Sequence, residues 1–386
     1  METPPLRLIY LVSTLSRRGP THALLNILSH LDRQHFAPQI LALSPEPTDT
    51  LLPQFQALDV PYHSLSLSRL QGMVRADSQV RAYMQNQQPD LIQSQGIRAD
   101  VIAARHLHGY RRIARMANYP FDDYPPMFGK VRGTLMAQQH VLAWRHVEQV
   151  IACSATVAEQ VRPHGVETVT ILNGVDTQRY QSASPAERQQ LRQQLGLPPD
   201  QRILLSVGAL SPRKDPLTLI AAFVQSRLAQ DTLLLLLGDG GLRQACERLA
   251  VDHPQIRFAG QVGNVADYLR AADLFCSASQ AEGLPNTVLE AIACGLPVCL
   301  SDIAPHREIL AYRQGAGVTF PVGDVARLAA LFNSVPGWDL SRMGQAARAI
   351  ATEHLSAERM AAAYQAVYLQ YAHHRAAATD DAHHRL

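Results

Sequence analysis

The chain has no apolar run long enough to cross a membrane and almost no net charge. Residues 233–237 are five consecutive leucines, far fewer than the roughly 20 apolar residues of a membrane-spanning helix, and they are typical of a buried strand. The formal net charge is +2 at pH 7, so we expect no large field of one sign. The N-terminus lacks a charged segment followed by a long apolar stretch, so we expect no secretory signal.

Cysteine is scarce and scattered. The five cysteines show neither a CxxC pair nor the spacing of metal ligands; they are Cys153, Cys246, Cys276, Cys294 and Cys299. An odd number in a chain of 386 residues predicts reduced, mostly buried thiols in a cytosolic protein. The length itself predicts two domains or three, at about 150 residues each.

Short apolar stretches alternate with helical patterns along the chain. LRLIYLVS, the loop SRRGP and the helical pattern THALLNILSHL form the first of several such units, an alternation typical of doubly wound α/β sheets. A polar, glutamine-rich stretch interrupts the alternation at residues 173–199, which we interpret as a connector. We therefore predict α/β domains at residues 1–172 and 200–354, a helix at 355–372 and a disordered tail at 373–386.

Glycines follow several of the predicted strands. Open α/β sheets bind ligands at the carboxyl ends of their strands, and two such domains facing each other would form a cleft. The glycines in these positions are Gly19, Gly96, Gly208, Gly238 and Gly283. The loop GALSPRKDP adds Arg213 and Lys214 just after a strand, which suits a phosphate, although a solvated basic loop explains the same residues.

The segment GDGGLRQ could be mistaken for a dinucleotide-binding fingerprint. Arg243 occupies the place of the last glycine in G-x-G-x-x-G, so we predict a tight turn instead. Asp239 is expected to act there as a local cap.

Two acids stand in the otherwise apolar segment AEGLPNTVLEAIACGLPV. We expect a helix that begins near Pro285, is capped by Asn286 or Thr287 and ends at Gly295. Glu282 would then precede the helix, and Glu290 would lie in its second turn. Backbone N–H groups at a helix N-terminus attract a diphosphate.

Carboxylates flanking such a site could bind the hydroxyl groups of a sugar and of a ribose. The alternative interpretation is a capping acid at Glu282 and a surface acid at Glu290. The apolar sequence after Glu290 disfavours that alternative, because an unpaired buried charge costs several kcal/mol.

The stretch EGLPNTVLEA resembles the E-x7-E donor motif of retaining GT-B glycosyltransferases of family 4. The segments VGALSPRK, LLLLGDGGLR, RFAGQV, AADLFCSAS, GLPVCLSD and PHREIL follow in the order of that family. CSATVAEQV and ILNGVD resemble its hinge region, and RGPTHALLNI resembles its N-terminal glycine loop. NYPFDDYPPMFGK resembles the acceptor-side loop of bacterial surface-polysaccharide members, and the likeness covers about residues 6–370.

The resemblance implies two Rossmann-like doubly wound domains facing a cleft, with the helix at 355–372 crossing back to the first. It implies a UDP- or GDP-linked sugar donor, with Lys214 and Glu282 as catalytic residues. The implied donor-binding residues are Gly19, Gly208, Arg213, Lys214, Gly260, Val262, Glu282, Gly283, Leu284, Pro285, Asn286, Thr287 and Glu290. Arg18, Asn118 and Tyr119 would lie on the acceptor side.

The resemblance also implies transfer with retention of configuration and without a metal or other cofactor. No DxD loop stands at a position that would suit a metal, so catalysis would depend on positioning and on stabilising the leaving diphosphate. The acceptor would be a saccharide or a polyprenyl-diphosphate-linked saccharide in surface-polysaccharide synthesis. We expect a cytoplasmic protein, located at the inner face of the membrane if its acceptor is lipid-linked.

Three positions differ from the commonest family pattern. Arg18 precedes Gly19, Ala209 follows Gly208, and Ala117 occupies the place of a frequent histidine. They leave open a second function, a nucleotide-sugar-binding partner protein with impaired catalysis. A GT-B epimerase or phosphorylase fits less well, since no pyridoxal-lysine signature is present.

The segment ARHLHGYRRIARM contains six basic side chains. They are Arg105, His106, His108, Arg111, Arg112 and Arg115. An anionic membrane surface is one interpretation, and a solvated helix and loop is the other.

Overall fold

The structure is a computed structural model that describes residues 4–383, without the side chains of residues 69, 70 and 73 and from 372 onward. The chain divides into two compact units. Unit 1 comprises Met1–Asn173 with Ala357–Leu386, and unit 2 comprises Gly174–Ser356. Each unit is built on a parallel β-sheet of its own, which confirms the predicted fold class of two Rossmann-like α/β domains.

The sheet of unit 1 has the strand order β3-β2-β1-β4-β5-β6-β7 within the described residues. Its strands are β1 (Leu6–Val12), β2 (Phe36–Ala42), β3 (Tyr62–Ser64), β4 (Leu91–Gln95), β5 (Arg112–Met116), β6 (Gln149–Ala152) and β7 (Thr168–Thr170). Its helices are α1 (Gly19–Ser29), α2 (Leu52–Gln56), α3 (Arg69–Gln87), α4 (Ile97–His106), α5 (Pro120–Phe128), α6 (Lys130–Trp144), α7 (Ala155–Val161) and α16 (Ala357–His383).

The sheet of unit 2 has the order β10-β9-β8-β11-β12-β13 within the described residues. Its strands are β8 (Arg202–Val207), β9 (Thr232–Leu237), β10 (Ile256–Gly260), β11 (Leu274–Ser277), β12 (Val298–Ser301) and β13 (Gly317–Phe320). Its helices are α8 (Pro185–Gln194), α9 (Pro216–Gln225), α10 (Arg243–Leu249), α11 (Val265–Ala271), α12 (Asn286–Ala293), α13 (Ala304–Leu310), α14 (Val325–Ser334) and α15 (Leu340–Glu353).

Each sheet has one topological switch point. In unit 1 the strand order reverses between β1 and β4, and in unit 2 it reverses between β8 and β11. The loops that leave two such strands turn to opposite faces of the sheet and open a crevice at the carboxyl ends. The fold therefore provides one crevice in each unit.

Helix α16 belongs to unit 1. Its residues Met360, Tyr364, Val367 and Tyr368 lie in the same hydrophobic cluster as the side chains of β1 and β2. The hydroxyl of Tyr368 donates to Gln93 Oε1 at 2.6 Å. The predicted disordered tail spans residues 373–386, whose side chains the structure does not describe. This part of the domain assignment therefore stays a prediction.

Two local features of the fold follow directly from their residues. Every residue of β9 is buried, as expected for the leucine run. Ser154 caps α7 by accepting from the backbone N–H of Val157 at 3.1 Å. The predicted strand is confirmed, because it is covered on both faces. In α7 the serine oxygen satisfies one of the N–H groups that the helix itself leaves unbonded.

Two predicted caps are wrong. Helix α12 begins at Asn286, with Pro285 as its N-cap and no side-chain cap, so Asn286 and Thr287 lie inside the first turn. Helix α10 has Leu242 as its N-cap, also without a side-chain cap. Asp239 instead accepts from the N–H of Gly240 at 2.7 Å, because the chain needs three more residues to reach the helix.

The basic segment ARHLHGYRRIARM is not a single surface. Arg112 and Arg115 lie in β5 and are 6% and 1% exposed, so neither the membrane-surface nor the solvated-face interpretation applies to them. Arg105 and His108 are exposed. Within residues 4–383, no helix is both long and apolar enough to cross a membrane.

Candidate functional site

A cluster of two cations and one buried carboxylate occupies the crevice of unit 2. Arg213 and Lys214 come from the loop after β8, and Glu282 comes from the loop after β11. Lys214 Nζ is paired with Glu282 Oε1, and Arg213 Nη1 donates to Glu282 Oε2 at 3.1 Å. Ser279 Oγ also donates to Glu282 Oε1, at 2.7 Å. The side chain of Glu282 is only 5% exposed, so the cluster is a largely desolvated ion triad.

Glu282 is ionised at neutral pH. Burial alone would raise its pKa, but the charges of Lys214 and Arg213 and the hydrogen bonds from Lys214 and Ser279 outweigh burial and lower the pKa to about 2. The triad thus has one net positive charge. A second anion, such as a phosphate, would complete its neutralisation.

The two loops of the crevice are fastened to each other. The N–H of Gln280 donates to the carbonyl of Arg213 at 2.8 Å, and Gln280 Nε2 donates to Asp215 Oδ2 at 3.2 Å. Asp215 has a left-handed backbone (φ 46°) and accepts from the N–H of Thr218 at 3.3 Å as the cap of α9. These contacts fix the direction in which Arg213 and Lys214 leave the sheet.

A buried histidine supports the loop after β11. His306 is fully buried, and its Nδ1–H donates to the carbonyl of Ser301 at 2.8 Å. The hydroxyl of Ser301 in turn donates to the carbonyl of Ser279 at 2.5 Å. Burial lowers the pKa of His306 to about 4, so it is neutral and acts as a fixed support close to Glu282. PHREIL contains this residue, but nothing in the sequence pattern assigned it a role.

The glycines of VGAL and LGDGG allow two loops to touch. Gly238 has a φ of 128°, and a Cβ built on it would lie 2.0 Å from the carbonyl oxygen of Gly208. The N–H of Gly238 donates to the carbonyl of Gly260 at 2.7 Å, which brings the end of β10 into the same region. The GDGG segment is therefore a tight turn required by backbone packing.

Glu290 lies at the other end of the E-x7-E stretch, in α12. Burial raises its pKa to about 7, against the opposing effects of Arg179, Tyr180 and Lys214. Burial also raises the pKa of Tyr180. The carbonyl of Tyr180 accepts from Arg348 Nη1 at 2.5 Å, which fixes the segment beside Glu290. The two acids of the motif thus have opposite shifts, because only Glu282 has two cations in contact.

The predicted site residues are divided between the two units. Those of unit 2 come from the loop after β8, the end of β10, the loop after β11 and the start of α12, and they are Gly208, Arg213, Lys214, Gly260, Val262, Glu282, Gly283, Leu284, Pro285, Asn286, Thr287 and Glu290. Gly19, Arg18, Asn118 and Tyr119 belong to unit 1.

Unit 1 has a cavity of about 670 Å³ at its own switch point. Its wall includes Ser13 and Thr14 after β1 and Gln95 and Gly96 at the end of β4. The predicted residues Arg18 and Asn118 also line it, with Ala117 beside them. Tyr119 does not line this cavity, because its hydroxyl is 2.8 Å from His164 Nε2 and its ring packs against Phe121.

A hydrogen-bonded chain behind the cavity was not predicted from the sequence. Asp100 is fully buried, and its Oδ2 accepts from His140 Nε2 at 2.6 Å and from Trp144 Nε1 at 2.9 Å. The other ring nitrogen of His140 is 2.7 Å from the hydroxyl of Tyr124. Tyr124, His140 and Trp144 line the cavity. They come from α5 and α6, so the long separation from Asp100 in α4 hid the arrangement.

The crevices, the paired Rossmann-like sheets and the E-x7-E stretch define a GT-B glycosyltransferase architecture. Residues 187–347 match the family model described as "Glycosyl transferases group 1", and residues 18–179 match "Glycosyltransferase Family 4". The two models together account for most of both units. The chain belongs to the family 4 glycosyltransferases of the GT-B type.

Curated relatives agree with this assignment. The GDP-mannose-dependent monoacylated alpha-(1-6)-phosphatidylinositol monomannoside mannosyltransferase of Corynebacterium glutamicum is 31% identical over 48% of this chain and 51% of the relative. The lipopolysaccharide core biosynthesis mannosyltransferase LpsB of Rhizobium meliloti is 27% identical over 53% of this chain and 60% of the relative. The chain thus spans about half the length of the curated relatives it matches.

Solved structures agree on the fold. Anabaena HepE in complex with UDP and glucose has a TM-score of 0.79 and 20% identity, covering 95% of this chain and 100% of the other. At that identity the likeness establishes the fold alone.

Proposed function

We propose that this protein transfers a sugar from a UDP- or GDP-linked donor to a saccharide or lipid-linked saccharide acceptor. One observation carries the proposal: the triad of Arg213, Lys214 and Glu282 at the switch point of unit 2, directly before the N-terminus of α12. Two cations suit a diphosphate, and a carboxylate beside them suits the hydroxyl groups of the attached sugar.

In this function Lys214 and Glu282 are the catalytic residues. As the bond between the anomeric carbon and the phosphate oxygen breaks, Lys214 and Arg213 stabilise the charge that develops on the leaving diphosphate. Glu282 accepts hydrogen bonds from the transferred sugar and holds its anomeric carbon in place. Configuration is retained, and the protein supplies no nucleophile, metal or other cofactor.

The remaining donor contacts follow from the same placement. The backbone of Gly208 and residues 283–287 receives the phosphates and the sugar, and Glu290 accepts from the ribose hydroxyl groups. The base lies against Gly260 and Val262, where the bulge that ends β10 turns the backbone. One relative is named as GDP-mannose-dependent, and one structural neighbour contains UDP. The nucleotide-release assay described below therefore tests both UDP-linked and GDP-linked donors.

The acceptor binds in the cavity of unit 1. Arg18 and Asn118 line that cavity, Gly19 opens α1 beside it, and Tyr119 orders the neighbouring segment of α5 through His164. Relatives named for lipopolysaccharide core synthesis support a surface-polysaccharide role. A cytoplasmic location at the inner face of the membrane would give access to a lipid-linked acceptor.

A second function is favoured by two residues. Ala117 lines the cavity at a position where the family resemblance implies a histidine, and Ala209 follows Gly208 in the loop after β8. Both changes remove polar contacts, so the protein could bind a nucleotide sugar for a partner without turning it over.

The release of free UDP or GDP separates the two functions. The purified chain is incubated with UDP-glucose, UDP-galactose, UDP-N-acetylglucosamine and GDP-mannose in EDTA, with and without a bacterial polyprenyl-linked saccharide extract. We expect release from at least one donor, stimulated by the extract. Binding of a donor without any release would favour the non-catalytic partner instead.

A further inference from the structure

Three arginines in the described chain are buried to more than nine-tenths, and one of them differs from the others. Arg112 is paired with Glu148 at 2.6 Å, and Arg192 is paired with Asp273 at 2.6 Å. Arg115 is the most buried, at 1% exposure. Its Nη1 donates to Gln95 Oε1 at 3.2 Å and its Nη2 to Asn173 Oδ1 at 2.6 Å.

Both of those partners of Arg115 are neutral, and so is the buried phenol of Tyr364 beside its guanidinium. No described carboxylate lies within ion-pair distance of its guanidinium, and its buried Nε has no hydrogen-bond partner. A guanidinium stays charged in proteins. A buried charge without a counter-charge is costly, and an apolar side chain of similar size would serve stability equally well or better. The counter-charge that would account for a buried arginine at this position is therefore not supplied by the described chain.

Arg115 lines the unit 1 cavity together with further sources of positive potential. Arg18 and Arg98 are on the same wall, and α1 opens onto it without a side-chain cap at its N-terminus. The one carboxylate on the wall is Asp123, which accepts from Asn118 Nδ2 at 3.0 Å. Asp100 lies behind the wall on His140 and Trp144, so three arginines face two carboxylates. The cavity is thus positive on balance, and helix N-termini add to that potential.

The two arginines that precede α1 differ in whether they are paired. Arg17 is paired with Asp49 at 2.8 Å. Arg18 is exposed and has no carboxylate partner in the part of the chain that the structure describes. Arg18 can therefore contact a ligand directly, while Arg115 contributes a fixed charge beneath it.

We infer that the ligand of the unit 1 cavity carries an oxyanion, a phosphate or a carboxylate, whose charge neutralises Arg115 and which Arg18 contacts. The inference rests on the proposed function for one point only, that this ligand is the acceptor. A sugar phosphate or lipid-linked phosphate and an acidic sugar share this chemistry. The cavity volume of about 670 Å³ lies within the range of small-molecule sites, about 300–1,000 Å³, and leaves room for a saccharide beside the anion.

A tryptophan on the cavity wall gives a direct readout. Trp144 lines the cavity, and the chain has one other tryptophan, Trp338, in unit 2. In a Trp338→Phe background the fluorescence therefore reports on unit 1. The full chain is titrated with inorganic pyrophosphate and with glucuronate at constant ionic strength, and glucose is the neutral control.

We expect a saturable fluorescence change with at least one anion and none with glucose at the same concentrations. Arg115→Gln and Arg18→Gln should each weaken that binding by about tenfold or more, because the first removes the buried charge beneath the ligand and the second removes a charge-assisted contact. Arg105→Gln removes the same charge from an exposed site of α4 outside the cavity and should leave binding unchanged. The anion that binds with the higher affinity indicates whether the ligand of the cavity carries a phosphate or a carboxylate.

Absence of a saturable response to both anions would overturn the inference, as would equal affinity in a folded Arg115→Gln variant. If that variant does not fold, Arg18→Gln decides, since Arg18 is exposed and its replacement should not affect folding. Lys214→Ala separates anion binding in unit 2 from anion binding in unit 1. The variant lacks a cation of unit 2, but it should leave the Trp144 response intact. The titration needs no turnover, so its outcome is independent of whether the chain releases UDP or GDP.

Discussion

The two crevices of the molecule differ in how their positive charges are paired. In unit 2, Arg213 and Lys214 are already paired with Glu282, and the pKa of that carboxyl is lowered to about 2. In unit 1, Arg115 is buried against neutral groups, the amides of Gln95 and Asn173 and the phenol of Tyr364. The positive charge of the unit 2 site is thus mostly neutralised by the protein before a ligand binds. The unit 1 site, in contrast, depends on its ligand for a counter-charge. The first arrangement suits precise orientation, and the second suits discrimination between charged and neutral ligands.

The largest effect is expected when the counter-charge of unit 2 is removed. Glu282→Ala should lower the transfer rate by about 100-fold to 1,000-fold, since a group that orients the sugar and tunes the leaving-group cations is lost. Initial rates of nucleotide release at saturating donor measure it. Glu247→Gln, an exposed acid of α10 paired with Arg243, is the matched control and should retain the wild-type rate.

The pH dependence of stability distinguishes the two acids of the motif. The pKa of Glu282 falls from 4.5 to about 2 on folding, so its contribution is present above pH 4.5 and is lost as the pH falls towards 2, by about 3 kcal/mol. The pKa of Glu290 rises to about 7, so its contribution is present below pH 4.5 and is lost as the pH rises through 7.

Urea unfolding of wild type, Glu282→Gln and Glu290→Gln at pH 3, 5 and 8 checks both signs. Glu282→Gln should flatten the acid side of the stability profile, and Glu290→Gln should flatten the neutral side. Parallel profiles for all three proteins would mean that the contacts at Glu282 and Glu290 do not differ as described.

A smaller effect should separate the two buried arginines of β5. Arg112→Met leaves Glu148 without its partner and should cost about 2–4 kcal/mol of unfolding free energy. Arg115→Met removes an uncompensated charge and loses two hydrogen bonds to neutral groups, so it should cost about 1 kcal/mol or less. Chemical denaturation measures both. A larger loss for Arg115→Met than for Arg112→Met would mean that Arg115 serves the fold rather than a ligand.

The smallest change concerns the ribose end of the donor site. Glu290→Gln should weaken nucleotide-sugar binding by about tenfold, because the amide accepts fewer hydrogen bonds from the ribose than the carboxylate does. Calorimetric titration with the donor identified in the release assay measures the dissociation constant. An unchanged constant would remove Glu290 from the proposed site.

Much of the fold could be predicted from the sequence because its strands are buried on both faces. The leucines of β9 and the apolar runs of β8, β11 and β12 are unambiguous for that reason. Strand order was not predictable from local pattern, since β1 pairs with β4 and β8 pairs with β11 across long stretches of chain. The caps of α10 and α12 were missed because a helix start can shift by a residue or more without changing the apolar pattern.

The candidate site divides in the same way. Glu282, Lys214 and Glu290 were found because one short motif and one short loop carry them. Arg115 was interpreted only as part of a basic segment, membrane-facing or solvated, because two arginines in a central strand contradict the expected apolar pattern. Glu148, the partner that makes Arg112 structural, lies 36 residues away, and the absence of such a partner at Arg115 is visible only in three dimensions.

The central claim is that the triad of unit 2 binds the diphosphate of a nucleotide sugar. Calorimetric titration of the full chain with UDP and GDP, in wild type and in Lys214→Ala, tests it most directly. The account predicts one-to-one binding of at least one nucleotide and a loss of about tenfold or more in affinity in the variant. Equal affinity in the two proteins, or no binding of either nucleotide by the folded wild type, would contradict it.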